Sequence, residues 1–152
     1  MFLTVHAAAG LTLAQVSPNP VITFVLALAS HFVLDFIPHG DEHIAPRHLA
    51  MGARLRRLAG AGILDALILA GFLAIYLWTS YVPSGWNLAA ALVGSLLPDA
   101  LMALYLATNN QVLAWFDKFH KAVHNLPGHH MDWAHGMFVQ VLTFTAFWLM
   151  LI

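Results

Sequence analysis

Five long apolar runs fill most of this chain, and little charge is available to cover them. They extend from about Phe2 to Val16, Val21 to Ile37, Leu58 to Tyr81, Trp86 to Ala107 and His129 to Ile152. Of the 152 residues, 61% are hydrophobic and 9% are charged, against roughly 25% charged in soluble domains. Such a chain cannot coat a globular surface with charge. It reads as an integral membrane protein, all-α, with one domain covering residues 1–152.

Prolines punctuate the first runs. Ser17-Pro18-Asn19-Pro20 ends the first and Pro38-His39-Gly40 ends the second. Both runs are short for a hydrocarbon core of ~30 Å, which takes ~20 helical residues to cross. They fit a tight hairpin that is partly re-entrant or packed inside the bundle. The first run lacks the basic flank of a secretion signal and contains His6, so it is expected to be a retained helix. Pro98 lies inside the fourth run, where a kink is expected. Between the fourth and fifth runs, Asn110 to His124 places Val112, Leu113, Phe116, Phe119 and Val123 on one face. That pattern predicts an interfacial amphipathic helix beside the five apolar ones.

Charge sets the expected orientation. Arg47, Arg54, Arg56 and Arg57 follow the second run; Lys118 and Lys121 follow the fourth. If the runs alternate sides, all six basic residues fall on one face, and the other two loops carry no charge. The positive-inside rule puts that face and the N-terminus in the cytoplasm of an inner-membrane protein. A net charge of −1 with no basic run offers nothing to nucleic acid. The expected partners are the lipid bilayer and a lipid or amphiphilic substrate.

The polar residues that interrupt the runs are the functional candidates, because ionisable groups at membrane depth are costly. His31 and Asp35 are four apart and share a helix face, a spacing at which two side chains can grip one ion. His39 and Asp41 follow the proline break, where the chain can turn back towards them. Ser95 and Asp99 repeat the four-residue spacing around Pro98. In His129 to Gln140, a helical wheel puts His129, Asp132, Gly136 and Gln140 together, with His135 at the edge and His130 off it. His6 opens the first run and Asp65 sits in the third. In the expected topology all of these fall in one leaflet. With no cysteine, thiolate ligation is excluded, and a nitrogen–oxygen set of this kind suits Zn, Mn, Fe or Mg.

Each motif also has a plainer reading. His31 and Asp35 could pair only with each other, and Asp99 could cap a kinked helix. The His129–His135 stretch could be an interfacial anchor, and Asp65 could meet Arg54 or Arg57. His43, His48, His120 and His124 read as surface residues in polar segments. No nucleophile elbow, phosphate loop, dinucleotide fingerprint or zinc-protease motif is present.

Four short pieces resemble a known family: His6, Leu97-Pro98-Asp99, His129 to His135, and Ser30-His31 with Asp35. They are similar to the bacterial inner-membrane-bound, metal-dependent hydrolases, the family that includes a membrane hydrolase under SOS-repressor control. In that family the Ser-His-x-x-x-Asp segment comes late; here it comes second. The family's Leu-Pro-Asp is followed by a further Asp and His; here Ala100 to Ala103 follow. The resemblance implies a small multi-helix membrane protein that hydrolyses an ester, with a phosphoester as the first candidate.

The expectation is therefore a metal-dependent hydrolase acting on a lipid-linked or amphiphilic ester at the cytoplasmic leaflet. His6, His31, Asp35, Asp65, Asp99, His129, His130, Asp132 and His135 are the candidate ligands of one or two divalent metal ions. His39 or Asp41 is the candidate general base, and Arg57 the candidate phosphate holder. The alternative is a protein that binds or moves a metal ion or proton, which would need polar groups leading to both membrane faces.

Overall fold

The structure, a computed structural model, describes residues 1–46, 48–81, 84–125 and 131–152. The described residues are helical and contain no strand. The helices are α1 (Leu3–Val16), α2 (Pro20–Asp35), α3 (Met51–Thr79), α4 (Gly85–Thr108), α5 (Ala114–Asn125) and α6 (Trp133–Leu151). Short 3-10 turns at Asp41–His43 and Gln111–Leu113 precede α3 and α5.

Local chemistry sets these boundaries. Asn19 caps α2 by accepting from the Ile22 backbone N–H at 3.0 Å, and Pro20 takes the first helical position. Ser84 caps α4 through the Asn87 N–H, and Asn109 ends it in the left-handed region at φ 51°. Asp132 caps α6 through the His135 N–H at 3.0 Å. Helix α3 begins earlier than the apolar pattern at Leu58 predicts. Met51 to Arg57 are mostly good helix formers, and they extend the helix although they do not extend the apolar run.

Three helices, α3, α4 and α6, are long and apolar enough to cross a membrane. The other two apolar helices are shorter, because Pro18, Pro20 and Pro38 limit them. Of the five spans expected, the structure supports three. Helix α1 occupies the middle of the bundle and packs on α2, α3, α4 and α6. Its small residues Ala7, Ala8, Ala9 and Gly10 are fully or almost fully enclosed, which lets neighbouring backbones come close. Contact between α2 and α4 is equally intimate. A Cβ at Gly94 would lie 2.6 Å from the Phe24 carbonyl oxygen. Phe72 of α3 meets Phe144 and Trp148 of α6 edge to face. Large apolar side chains such as Ile63, Leu67, Leu77, Val141 and Leu149 point outwards. An exposed apolar belt of this kind is unfavourable in water and suited to lipid.

Helix α5 turns ionisable residues inwards. Asp117 and His120 are buried, whereas Val112, just before the helix, and Trp115 and Phe119 within it are exposed. The inward face thus carries ionisable groups, and the outward face carries aromatic ones.

Candidate metal centre

The end of α2 is where polar groups collect. Asp35 is almost fully buried, and its carboxylate is approached from four elements. His31 Nε2, His120 Nε2 and His124 Nε2 lie 3.0, 3.1 and 3.0 Å from the same oxygen, Oδ2. The other oxygen, Oδ1, is 2.5 Å from the Met1 backbone nitrogen and 3.1 Å from His6 Nε2. His6 in turn stacks on His31 with ring centroids 4.0 Å apart.

The orientation of these groups is more telling than their proximity. His31 Nδ1 lies 2.7 Å from the Ser95 carbonyl oxygen, which can only accept, so Nδ1 carries a proton. Neutral His31 then presents the lone pair of Nε2 to its neighbours. These are Asp35 Oδ2 and, at 3.1 Å, His120 Nε2. Despite three imidazole nitrogens within 3.1 Å, Asp35 Oδ2 has no partner in hydrogen-bonding geometry. The ring nitrogens of His31 and His120 share one ligand group with Asp35 and Asp99, and that of His124 belongs to a second group on the same carboxylate. For a tetrahedral ion with ligand distances of ~2.0–2.1 Å, neighbouring ligand atoms sit about 3.3 Å apart, close to the separations seen here. The donor set therefore fits a divalent cation.

Two ligand groups share Asp35. One comprises His31, Asp35, Asp99 and His120; the other comprises Asp35, His39 and His124; within each group the ligand atoms lie within 4.8 Å of one another. Asp99 Oδ1 stands off at 3.9 Å from His31 and 3.7 Å from His120. Asp99 and His124 keep 17% and 22% side-chain exposure, so the cluster opens to its surroundings on that side. Imidazole and carboxylate ligands are compatible with Zn, Mn or Fe, and do not choose between them.

A surrounding shell fixes these side chains. Ser95 follows Gly94, whose carbonyl Pro98 leaves without its helical N–H, and the Ser95 carbonyl accepts from His31 Nδ1–H. His39 Nδ1 donates to the Ile37 carbonyl at 2.6 Å, and its Nε2 faces Asp41 Oδ2 at 2.9 Å. Burial, the largest single influence, pushes the Asp41 carboxyl up, but the hydrogen bond from His39 together with the positive charge at Met1, His39 and His124 outweighs it and holds the group below the usual carboxylate range. Gly40 makes the turn after His39 with φ +71°, a conformation suited to glycine. From α6, Gln140 donates to the His39 carbonyl at 3.0 Å and accepts from the Phe2 N–H at 2.9 Å.

Of the residues singled out from the sequence, His31, Asp35, His39 and Asp99 come together here. His6 joins them through the outer face of Asp35, outside both ligand groups. Asp65 does not. Its carboxylate accepts from the Leu3 N–H at 2.5 Å and the Thr4 hydroxyl at 2.6 Å, capping α1 from α3. The first turn of α1 has no side-chain cap of its own, so Asp65 supplies one from a neighbouring helix. Asp132 and His135 pair with each other in an exposed position at the start of α6 and belong to neither ligand group. Hydrogen bonds from His135, backbone and then side chain, hold the Asp132 carboxyl below its ordinary range. His129 and His130 lie outside the described residues. Arg57 is exposed on α3.

His43 and His48 are exposed as expected, but His120 and His124 are not surface residues. His120 is fully buried, and both imidazoles reach Asp35. The signal was available: His120 and His124 have the same four-residue spacing as His31 and Asp35. It was masked by the lysines and polar residues around it. Comparison with family models, curated proteins and solved structures gives no match.

Proposed function

We propose that this chain is a membrane-embedded, metal-dependent hydrolase acting on a lipid-linked or amphiphilic phosphoester. The carrying observation is the convergence of three imidazole nitrogens on Asp35 Oδ2, in a cluster that remains partly open beside Asp99 and His124. Catalytic metal sites keep such an open position, whereas structural sites close around the ion. A divalent ion held there would lower the pKa of bound water and polarise the scissile group.

His31, His120, Asp35 and Asp99 form the first ligand group, and His39 and His124 extend it across Asp35. Asp41 orients His39 through its 2.9 Å contact. The Asp41 carboxylate, about one-third exposed, is the group placed to take a proton at the cluster's edge. The basic residues at the start of α3 and in α5 favour a cytoplasmic location of this end in a bacterial inner membrane. The outward aromatic face of α5, with Trp115 and Phe119, suits the lipid headgroup region.

The test is metal content by plasma mass spectrometry on detergent-purified protein, followed by a phosphoesterase screen on the loaded sample. One or two equivalents of Zn, Mn or Fe are expected, with turnover lost in His120→Ala and Asp35→Ala. A wild type that takes up no metal after reloading would remove the hydrolase reading and leave a proton relay or ion carrier.

A further inference from the structure

A cleft of about 720 Å³ lies between α3 and α4, within the ~300–1,000 Å³ range of ligand pockets. Its walls are apolar along most of their length. Leu58 and Gly62 contribute from α3, and Leu96, Ala103 and Leu106 from α4. The same cleft is lined at one end by Asp99, Asp41 and His124, which belong to the metal cluster or touch it. An apolar slot that ends on a polar centre matches an amphiphile: chain along the slot, head at the centre.

A second observation gives the head its charge. Arg54 lies one helical turn before Leu58 on the same face of α3, and its Nε is buried without a hydrogen-bond partner. Arg56 and Arg57 follow within the next turn. Leu55, the residue after Arg54, lines the cleft, and a guanidinium beside an apolar slot favours a phosphate oxygen over a neutral headgroup. Both walls of the slot are formed by helices apolar and long enough to cross the membrane. A chain can therefore enter sideways from the bilayer.

We propose that the α3–α4 cleft holds one acyl chain of a phosphate-headed membrane lipid, its head lying between Arg54 and the Asp35 cluster. As the substrate site, this rests on the hydrolase reading above; as a chain-binding site, it stands without it.

Gly62 provides the test. A Cβ there meets nothing within 4 Å, and Gly62 lines the cleft, so a side chain added at this position projects from open space at the cleft wall. Protein in phosphatidylcholine nanodiscs is photolabelled with lysophosphatidic acid carrying a diazirine in its acyl chain. Labelling is expected in residues 55–66 and 96–107. It should fall about tenfold or more in Gly62→Trp, since even one methylene in an apolar pocket shifts binding by about that factor. Arg54→Gln should weaken labelling by this probe and leave labelling by a diazirine monoacylglycerol unchanged.

Equal labelling of wild type and Gly62→Trp, or labelling confined to the outer faces of the helices, overturns the chain site. Equal loss of both probes in Arg54→Gln, or loss of neither, overturns the phosphate assignment. Metal content is read separately on the same samples. Cleft labelling in a protein that takes up no metal keeps the chain site and removes the hydrolase.

Discussion

His31 and His120 hold their Nε2 atoms 3.1 Å apart, and the Nδ1 proton of His31 is committed to the Ser95 carbonyl. Two ring nitrogens facing each other at that distance are stable with a proton or a cation between them. The pair joins α2 to α5, helices that share few other contacts. His31→Ala and His120→Ala should each lower metal affinity by on the order of 100-fold or more, exceeding the 10–100-fold typical of outer-shell changes. His43→Ala, at an exposed imidazole, should leave it unchanged. Isothermal titration with Zn²⁺ or Mn²⁺ distinguishes the cases, and unaltered affinity in His120→Ala would place the site elsewhere.

Because α5 brings two of the imidazoles, it should loosen when metal is removed. Its outward face is exposed, and its inward face is centred on the cluster. Chelation is expected to speed hydrogen exchange across residues 114–125 and to leave α1 protected, since α1 is enclosed by other helices. Uniform acceleration over the whole chain would mean that the cluster stabilises the bundle as a unit.

Asp65 separates a helix cap from a metal ligand. Asp65→Ala removes the acceptor for the Leu3 N–H and the Thr4 hydroxyl at the start of α1. The expected cost is about 2 kcal/mol, from a lost cap and buried donors left unpaired. Metal stoichiometry should stay at the wild-type value. Loss of metal with little change in unfolding midpoint would return Asp65 to the ligand set.

Asp41 carries a pH prediction. Its carboxyl is held below the ordinary value: burial pushes it up most strongly, and the His39 hydrogen bond together with the charges of Met1, His39 and His124 outweighs that push. A depressed carboxylate contributes stability fully above its unfolded value of about 3.9, and loses that contribution as pH falls towards the folded value. Asp41→Asn should therefore lower the thermal midpoint at pH 6, with the gap to wild type shrinking as pH drops below about 4. A gap that stays constant down to pH 3 would contradict the linkage.

Much of the helical layout was legible in the sequence. Apolar runs bounded by prolines and polar caps predict α1, α2 and α4 nearly to their ends, because these signals act over one turn, whereas α6 begins at Trp133, four residues after the expected start at His129. The amphipathic stretch was legible as a helix but not in its facing. Periodicity marks the apolar face that an interfacial helix would turn to lipid, and it does not show that Asp117 and His120 beside that face are buried while Trp115 and Phe119 are exposed. Asp65 was visible as a costly buried carboxylate. Its use was not, since its partners at Leu3 and Thr4 are 62 and 61 residues away.

By itself, then, the sequence determined a helical chain with too little charge for water, and a nitrogen–oxygen ligand supply spread over its five apolar runs. Those properties follow from composition and local spacing. Only the tertiary structure decided which ligands meet. Asp35 is buried where α1, α2 and α5 converge beside α4, so its neighbours are chosen by helix packing and not by distance along the chain. That packing brought in His120 and His124, turned Asp65 into a cap, and left Asp132 and His135 outside.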